Sequence, residues 1–466
     1  MKKVLTLLLF GVLSLSLAGC VNFGGDNGTT DDVVVLDELP TDEIEITFWH
    51  VYGTTKGALL DEMIADFEEL YPNITVTATS QTGYDEIRTA VEYAIPQKNT
   101  PTVVVGYPDH IAGYLNGNAV VPLDDFISHD TWGVDVEDFI DAYLEENTSY
   151  PGGKYYSFPY SKSTEMMVYN KDVIEANSAA ITAALGEAFP TDRALTWAEL
   201  NLLSDILVDP NWNADNPTPN KCEYLINYDS PANFFINNVR QWDGGYTNID
   251  GDILVQNDNT LAMLDYVAAR FDDNTFAIPL AWNESYGSTN FKNGDVCMSV
   301  GSTAGINYNI PENGEFEVGV LPTPQYDEAN NPSAVQQGPN IAILGNSSDA
   351  ERLAAWLLIK HLTNAENTAD WAMLTGYLPV RYSGYQSTAY QAFLAINDPD
   401  ELLYYSSLAA QAAYLQTGWF AYDPPFAGSV TSSDARLQAE SAMQSLFAGH
   451  GSQTVIDAML RQLGAN

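Results

Sequence analysis

Residues 44–48 read Ile-Glu-Ile-Thr-Phe, an apolar-polar alternation with the period of a half-buried strand. Leu59, Leu60, Met63, Ile64, Phe67 and Leu70 then recur at helical spacing until Pro72 ends the run. Ile74 and Val76 alternate again, a second helix is predicted over about 85–95, and 102–105 form an apolar strand. Strands alternating with helices at this spacing imply βαβ units around a mainly parallel sheet, so the first part of the chain is α/β. After Pro151-Gly152-Gly153 come two apolar strand-like stretches, 156–160 and 166–169, around the polar Ser161-Lys162-Ser163-Thr164. A crossover between two lobes is expected there. Residues 296–300 form another apolar strand that runs into Gly301-Ser302-Thr303. A further strand pair, 318–321 with 341–344, precedes a helix over 350–362 with Leu353, Trp356 and Leu357 on one face. The remainder reads as mostly helical, and no repeat of 20–50 residues is present.

At 466 residues and 45% hydrophobic content, the chain can bury a large core and is long enough for two or three domains. Its 62 Asp+Glu against 18 Lys+Arg give a formal charge of −44, which repels phosphate backbones and anionic headgroups. No nucleic-acid partner is expected. At the N-terminus Lys2 and Lys3 precede an apolar run, 4–17, too short to span a bilayer comfortably, and the segment ends Leu17-Ala18-Gly19-Cys20. This reads as a signal peptide over 1–19. The small residues before Cys20 resemble the lipobox of bacterial lipoproteins, which implies an acylated Cys20 and a lipid-anchored, extracytoplasmic protein on the periplasmic or cell-surface side. Residues 20–40, rich in Gly, Asn, Asp and Thr, read as a flexible tether. With Cys20 acylated, only Cys222 and Cys297 remain, which permits one disulfide in an exported protein. Two buried thiols are the favoured reading.

Catalytic signatures are absent: there is no G-x-S-x-G elbow, H-E-x-x-H, Walker A sequence or G-x-G-x-x-G, and the five histidines never fall at metal-ligand spacing. The run Asp209-x-Asn211-x-Asn213-x-Asp215 has Ala214 where a calcium loop needs glycine and Asn220 where it needs a bidentate glutamate. No metal, cofactor or enzymatic activity is expected. Sixty-two acids do leave open a glycosidase pair, for which Asp109 with an acid from the opposite lobe is the candidate. What stands out is 27 Tyr and 9 Trp, many beside short polar residues. A sugar presents apolar ring faces and a hydroxyl rim, so its site wants aromatic plates beside Asp, Asn and Ser.

Several segments together resemble the family 1 extracellular solute-binding proteins of ATP-binding-cassette importers, the group that contains the maltose-binding and glycerol-3-phosphate-binding proteins. They include ITFWH at 46–50, GYDEIRTAV at 83–91, TPTVVVGYPDHIAGYLNGNAVVPLDD at 100–125, STEMMVYNKD at 163–172, FKNGDVCMSVGS at 291–302, VGVLPTP at 318–324 and TGYLPVR at 375–381. The resemblance implies a two-lobe α/β fold, the type II periplasmic-binding-protein fold, with a hinge and a ligand cleft between the lobes. It places 40–160 plus 303–362 in the first lobe and 161–302 plus 363–466 in the second. Carried over position by position, it puts Tyr84, Asp109, Ser163 or Thr164, Ser302, Gly338 and Tyr377 at the cleft.

Trp49 and Tyr52, just past the first strand, are further candidate cleft aromatics, and Trp419 and Tyr422 candidate stacking plates. Ser230 and Asn233 stand where the glycerol-3-phosphate binders carry a tryptophan pair, and PPFAGSVTSSDAR at 424–436 replaces their arginine-bearing stretch, leaving Arg436 as the nearest arginine. A buried phosphate needs a firm cationic partner, so the departures favour a neutral ligand. The expected function is capture of a neutral sugar or oligosaccharide by a monomer that delivers it to a membrane permease. The alternatives are a glycerol-3-phosphate, glycerophosphodiester or polyol binder, in which Arg436, Arg381 or Lys162 points into the cleft, and a surface glycoside hydrolase.

Overall fold

The computed structural model describes residues 33–465 except 151, 216 and 328–330. The signal peptide and Cys20 lie outside the described residues. Residues 33–40, expected in the tether, instead lie against the core: Val35, Leu36 and Leu39 pack on it and the Leu36 carbonyl accepts from the Trp132 indole at 2.8 Å.

The strands are β1 (Ile44–His50), β2 (Ile74–Ser80), β3 (Val103–Gly106) and β4 (Phe158–Pro159). They continue as β5 (Ser163–Asn170), β6 (Tyr224–Tyr228), β7 (Phe276–Ala277), β8 (Val296–Ser302), β9 (Val318–Pro322), β10 (Ala334–Gln337), β11 (Asn340–Ile343) and β12 (Phe420–Ala421). They form two sheets. A five-stranded sheet runs β2-β1-β3-β11-β4, and a seven-stranded one runs β12-β10-β5-β8-β6-β7 with β9 also paired to β5.

The first sheet forms as the alternation dictates: Ile44, Ile46 and Phe48 of β1 are buried, and β2 lies parallel in the register Ile44↔Ile74. The helix Thr54–Leu70 covers one face with Leu60, Met63, Ile64 and Phe67. Helix Asp349–Leu362, whose N-terminus carries a capping box between Ser348 and Glu351, buries Leu353, Trp356 and Leu357 in the same core. In the second sheet β5 is buried along all eight residues, as suits a central strand covered on both faces. Helix Trp197–Leu207 starts from a second capping box, Thr196 with Glu199.

Three expectations change. The sheets are mixed rather than mainly parallel, because β11 runs antiparallel to β3 and β5 antiparallel to β8, β9 and β10. The stretches 318–321 and 341–344 are strands but not a pair: β9 joins β5 in the seven-stranded sheet while β11 joins β3 in the other. The segment 318–337 therefore sits with the second sheet, and the chain assigned to the first lobe from 303 onward reaches the five-stranded sheet only at Asn340. Lastly, Cys222 and Cys297 form a disulfide with Cα atoms 5.7 Å apart. Parallel pairing of β6 with β8, Tyr224 opposite Val296, brings the two cysteines together across 75 residues of chain.

The chain passes between the sheets at 160–162, from β4 to β5, and at 338–339, from β10 to β11. These passages touch. Ser161 N donates to Pro339 O at 3.1 Å, and Gly338, at φ +98°, has no room for a side chain because a Cβ would sit 2.1 Å from the Ser161 carbonyl oxygen. Lys162 is fully buried there, bonded to Glu146, to Gly338 O at 3.2 Å and to Asn340 Oδ1 at 3.3 Å. Among the described residues no helix is long and apolar enough to cross a membrane.

Candidate functional site

Where the two sheets face each other, a cavity of ≈ 540 Å³ opens against the passages. From the first-sheet side come Lys56, on helix Thr54–Leu70, Tyr84, the first residue of helix Tyr84–Ala94, and Tyr107, just past β3. Ser163, Gln337 and Gly338 enter from the strand ends beside the passages, and Glu165, Asp229, Asn233, Ser302 and Arg436 from the second-sheet side. Tyr286 and Tyr308, each more than two-thirds exposed, stand on the lining as free aromatic surfaces.

The tyrosines form a connected set. Tyr84 and Tyr107 pack with ring centres 4.4 Å apart and planes tilted by 40°, and the Tyr84 and Tyr377 hydroxyls lie 3.3 Å apart. Burial raises the phenols of Tyr84 and Tyr377 above their usual range, so they remain neutral donors and acceptors. Lys56 sits 4.8 Å over the Tyr377 ring and donates to Ala304 O at 3.3 Å; burial lowers its ammonium to about 8.

Opposite them lies a polar chain. Arg436 donates to Asn233 Oδ1 at 2.6 Å, and Asn233 Nδ2 donates to Glu165 Oε1 at 2.8 Å and to Gln337 Oε1 at 2.9 Å. Asp229 accepts from Gly287 N at 2.6 Å. Burial raises Glu165 to about 7 against the opposing pull of Asn233 and Arg436, and raises Asp229 to about 6. The site thus holds two carboxyls, one guanidinium and one ammonium. Its formal charges balance inside a strongly acidic chain.

Of the residues expected at the cleft, Tyr84, Ser163, Ser302, Gly338 and Tyr377 all line this cavity. Asp109 does not; it lines a smaller recess behind Arg436, where its Oδ2 accepts from Ser433 at 2.7 Å. Thr164 is turned away, because successive residues of β5 face opposite sides: Ser163 and Glu165 reach the cavity while Thr164 Oγ1 donates to Val335 O at 2.8 Å. Tyr52 is buried behind the lining, with its hydroxyl 2.8 Å from Ser161 Oγ and its ring edge-on to Trp371 and Tyr377. Trp49 packs half-buried on the first core, and neither Trp419 nor Tyr422 lines the cavity; Tyr422 instead bonds Ser149 at 2.8 Å.

Of the three cations weighed for a phosphate, Arg436 faces the cavity. Lys162 is spent on Glu146, and Arg381 pairs with Asp138 at 3.1 Å over the Phe139 ring. Reasoning from the chain missed Tyr107, Glu165, Asp229, Tyr286 and Tyr308 as lining residues. Glu165 carried a signal, the single charge in the strand STEMMVYN; Tyr107, Tyr286 and Tyr308 carried none.

A family model described as bacterial extracellular solute-binding protein matches residues 62–397. The sn-glycerol-3-phosphate-binding periplasmic protein UgpB of Shigella flexneri is 23% identical over 362 residues, covering 76% of this chain and 78% of that protein. Among solved structures, UgpB from Mycobacterium tuberculosis in complex with glycerophosphocholine superposes with a TM-score of 0.71 at 21% identity, over 90% of this chain and 97% of that one. The ABC substrate-binding protein Lmo0181 from Listeria monocytogenes in complex with cycloalternan gives 0.70 at 17% identity, over 91% of this chain and all of that one.

Proposed function

The chain belongs to the family of bacterial extracellular solute-binding proteins, and from that premise we propose that it captures a neutral sugar or small oligosaccharide outside the cytoplasm and delivers it to a membrane ABC permease. In this reading it is a non-catalytic monomer, lipid-anchored through Cys20, whose lobes close on the ligand about the passages at 160–162 and 338–339. The observation that carries it is the lining of the cavity: Tyr84, Tyr107, Tyr286, Tyr308 and Tyr377 beside serines, amides and balanced charges, the composition that a hydroxyl-rimmed ring with apolar faces requires. Asp109, Ser163, Ser302 and Gly338 are proposed to contribute contacts at the cavity and its recess.

Arg436 favours a second reading, a glycerol phosphate or phosphodiester, because a guanidinium facing the cavity is the partner such an anion needs. Among the relatives named above, UgpB of Shigella flexneri is named for binding sn-glycerol 3-phosphate, UgpB of Mycobacterium tuberculosis holds glycerophosphocholine and Lmo0181 holds cycloalternan.

Thermal unfolding of the exported chain against mono-, di- and trisaccharides, glycerol 3-phosphate and glycerophosphocholine separates the two. A ligand at about 1,000 times its dissociation constant adds roughly 4 kcal/mol to the folded state. Stabilisation by a saccharide, with no product after long incubation, supports the first reading; stabilisation by phosphorylated compounds alone replaces it with the second. In cells, Cys20→Ala is expected to release the protein from membranes, and membrane retention of that variant would refute the anchor.

A further inference from the structure

Behind Arg436 lies a recess of ≈ 80 Å³. Tyr107, Gln337 and Arg436 line both it and the main cavity, so the two spaces share a wall. Its charged walls are already committed. Asp109 accepts from Ser433, Glu146 from Lys162 and Asn340, Asp423 pairs with Arg240, and Arg436 donates to Asn233.

Gln336 is not committed. It lies on β10 opposite Thr164, is only 6% exposed, lines the recess, and has no hydrogen-bond partner for either Oε1 or Nε2 among the described residues. Buried polar atoms in folded proteins are nearly always bonded, because leaving one unmade costs its full desolvation. An amide therefore waits here for a partner that both donates and accepts.

A vicinal diol is such a partner: one hydroxyl donates to Oε1 while its neighbour accepts from Nε2. Against ≈ 540 Å³ in the main cavity, ≈ 80 Å³ takes the end of a molecule and not its bulk. We propose that the recess is a terminal subsite for a diol-bearing end of the ligand, with Gln336 the residue that reads it. The inference rests on the main cavity being the capture site. It applies equally to the ring diol of a sugar and to the glycerol end of a phosphodiester.

The test is calorimetric titration of the wild-type exported chain and of Gln336→Leu with maltose, maltotriose, cellobiose and glycerophosphocholine. Leucine nearly preserves the volume and removes no protein hydrogen bond, so the fold is expected to hold; Gln336→Met is the second variant should Gln336→Leu fail to fold. Whichever probe binds the wild type is expected to bind the variant at least about tenfold more weakly. If that probe is glycerophosphocholine, phosphocholine, which lacks the diol, is expected to bind both proteins alike; if it is a saccharide, the diol is a ring diol. Equal affinity of wild type and variant for the binding probe would overturn the subsite and leave capture standing. A wild type that binds none of the probes would overturn the capture reading and the subsite with it.

Discussion

Glu165 and Asp229 sit in the cavity with one hydrogen-bond donor apiece, Asn233 and the Gly287 N–H, and burial holds them near 7 and 6. Near neutrality each therefore exchanges between an acid that donates to a ligand and a carboxylate that accepts from it. Raised values also have a consequence for stability. Glu165 favours the fold below its unfolded value near 4.5 and loses that contribution as pH rises towards 7, because the buried site resists the charge that the unfolded chain accepts freely. Glu165→Gln removes the penalty while keeping an acceptor for Asn233. The stability of the variant relative to wild type is expected to climb between about pH 4.5 and 7, reaching on the order of 3 kcal/mol. Parallel denaturant titrations across that range check it, and a flat difference would mean that Glu165 ionises normally. At this scale the chain was half legible. Tyr84, Ser163, Ser302, Gly338 and Tyr377 sit in recognisable segments, whereas Tyr286, on a loop, and Tyr308, in the short 3-10 helix Thr303–Asn309, reach the cavity from either side of β8 with no sequence signal of their own. Thr164 fails for a simple reason: on a strand, one position in two faces the wrong way.

Among the elements, the passages between the sheets carry the greatest local risk. Lys162 and Glu146 form a buried ion pair in which Glu146 also accepts from Asn340 at 3.0 Å, so the lysine ties the helix Asp141–Thr148 to both passages. Removing one partner strands the other charge in the interior, which typically costs about 3–5 kcal/mol. Lys162→Met is expected to lose that much in denaturant unfolding, and adding Glu146→Gln to it should restore a large part. If the single variant is as stable as wild type, the pair is not buried as described. At this scale β1 to β5, β8, β9 and β11 were readable as strands, β6, β7, β10 and β12 were not, and partnership was not. The alternation in β1 and the apolar run in β3 announce strands, but nothing in 318–321 and 341–344 says that they join different sheets. Pairing depends on where the chain turns back, and the turn between β10 and β11 rests on a glycine at φ +98° and a proline that composition alone does not weigh. The same blindness hid the disulfide, since only the parallel register of β6 and β8 brings Cys222 to Cys297.

For the whole molecule, a ligand touching Tyr84 and Lys56 on one side and Glu165, Ser302 and Arg436 on the other binds best where both sets reach it together, so it shifts the population towards closer-packed lobes. Small-angle scattering is expected to give a smaller radius of gyration on adding whichever compound stabilises the fold; an unchanged radius with saturating ligand would place binding on one lobe alone. The α/β character of the first part was legible from periodicity, which survives errors at single positions, whereas the two-lobe plan came from the resemblance to the solute-binding family. The threading of the chain reaches further, to how the protein is made. The five-stranded sheet takes its fourth strand in spatial order, β11, from residues 340–343, and the seven-stranded sheet takes an edge from 420–421. Neither sheet can be completed until most of the polypeptide has emerged, and such distant pairings close slowly. The late strands thus set the pace of folding after synthesis, and refolding slower than that of a chain whose sheets close from neighbouring segments is the expected outcome.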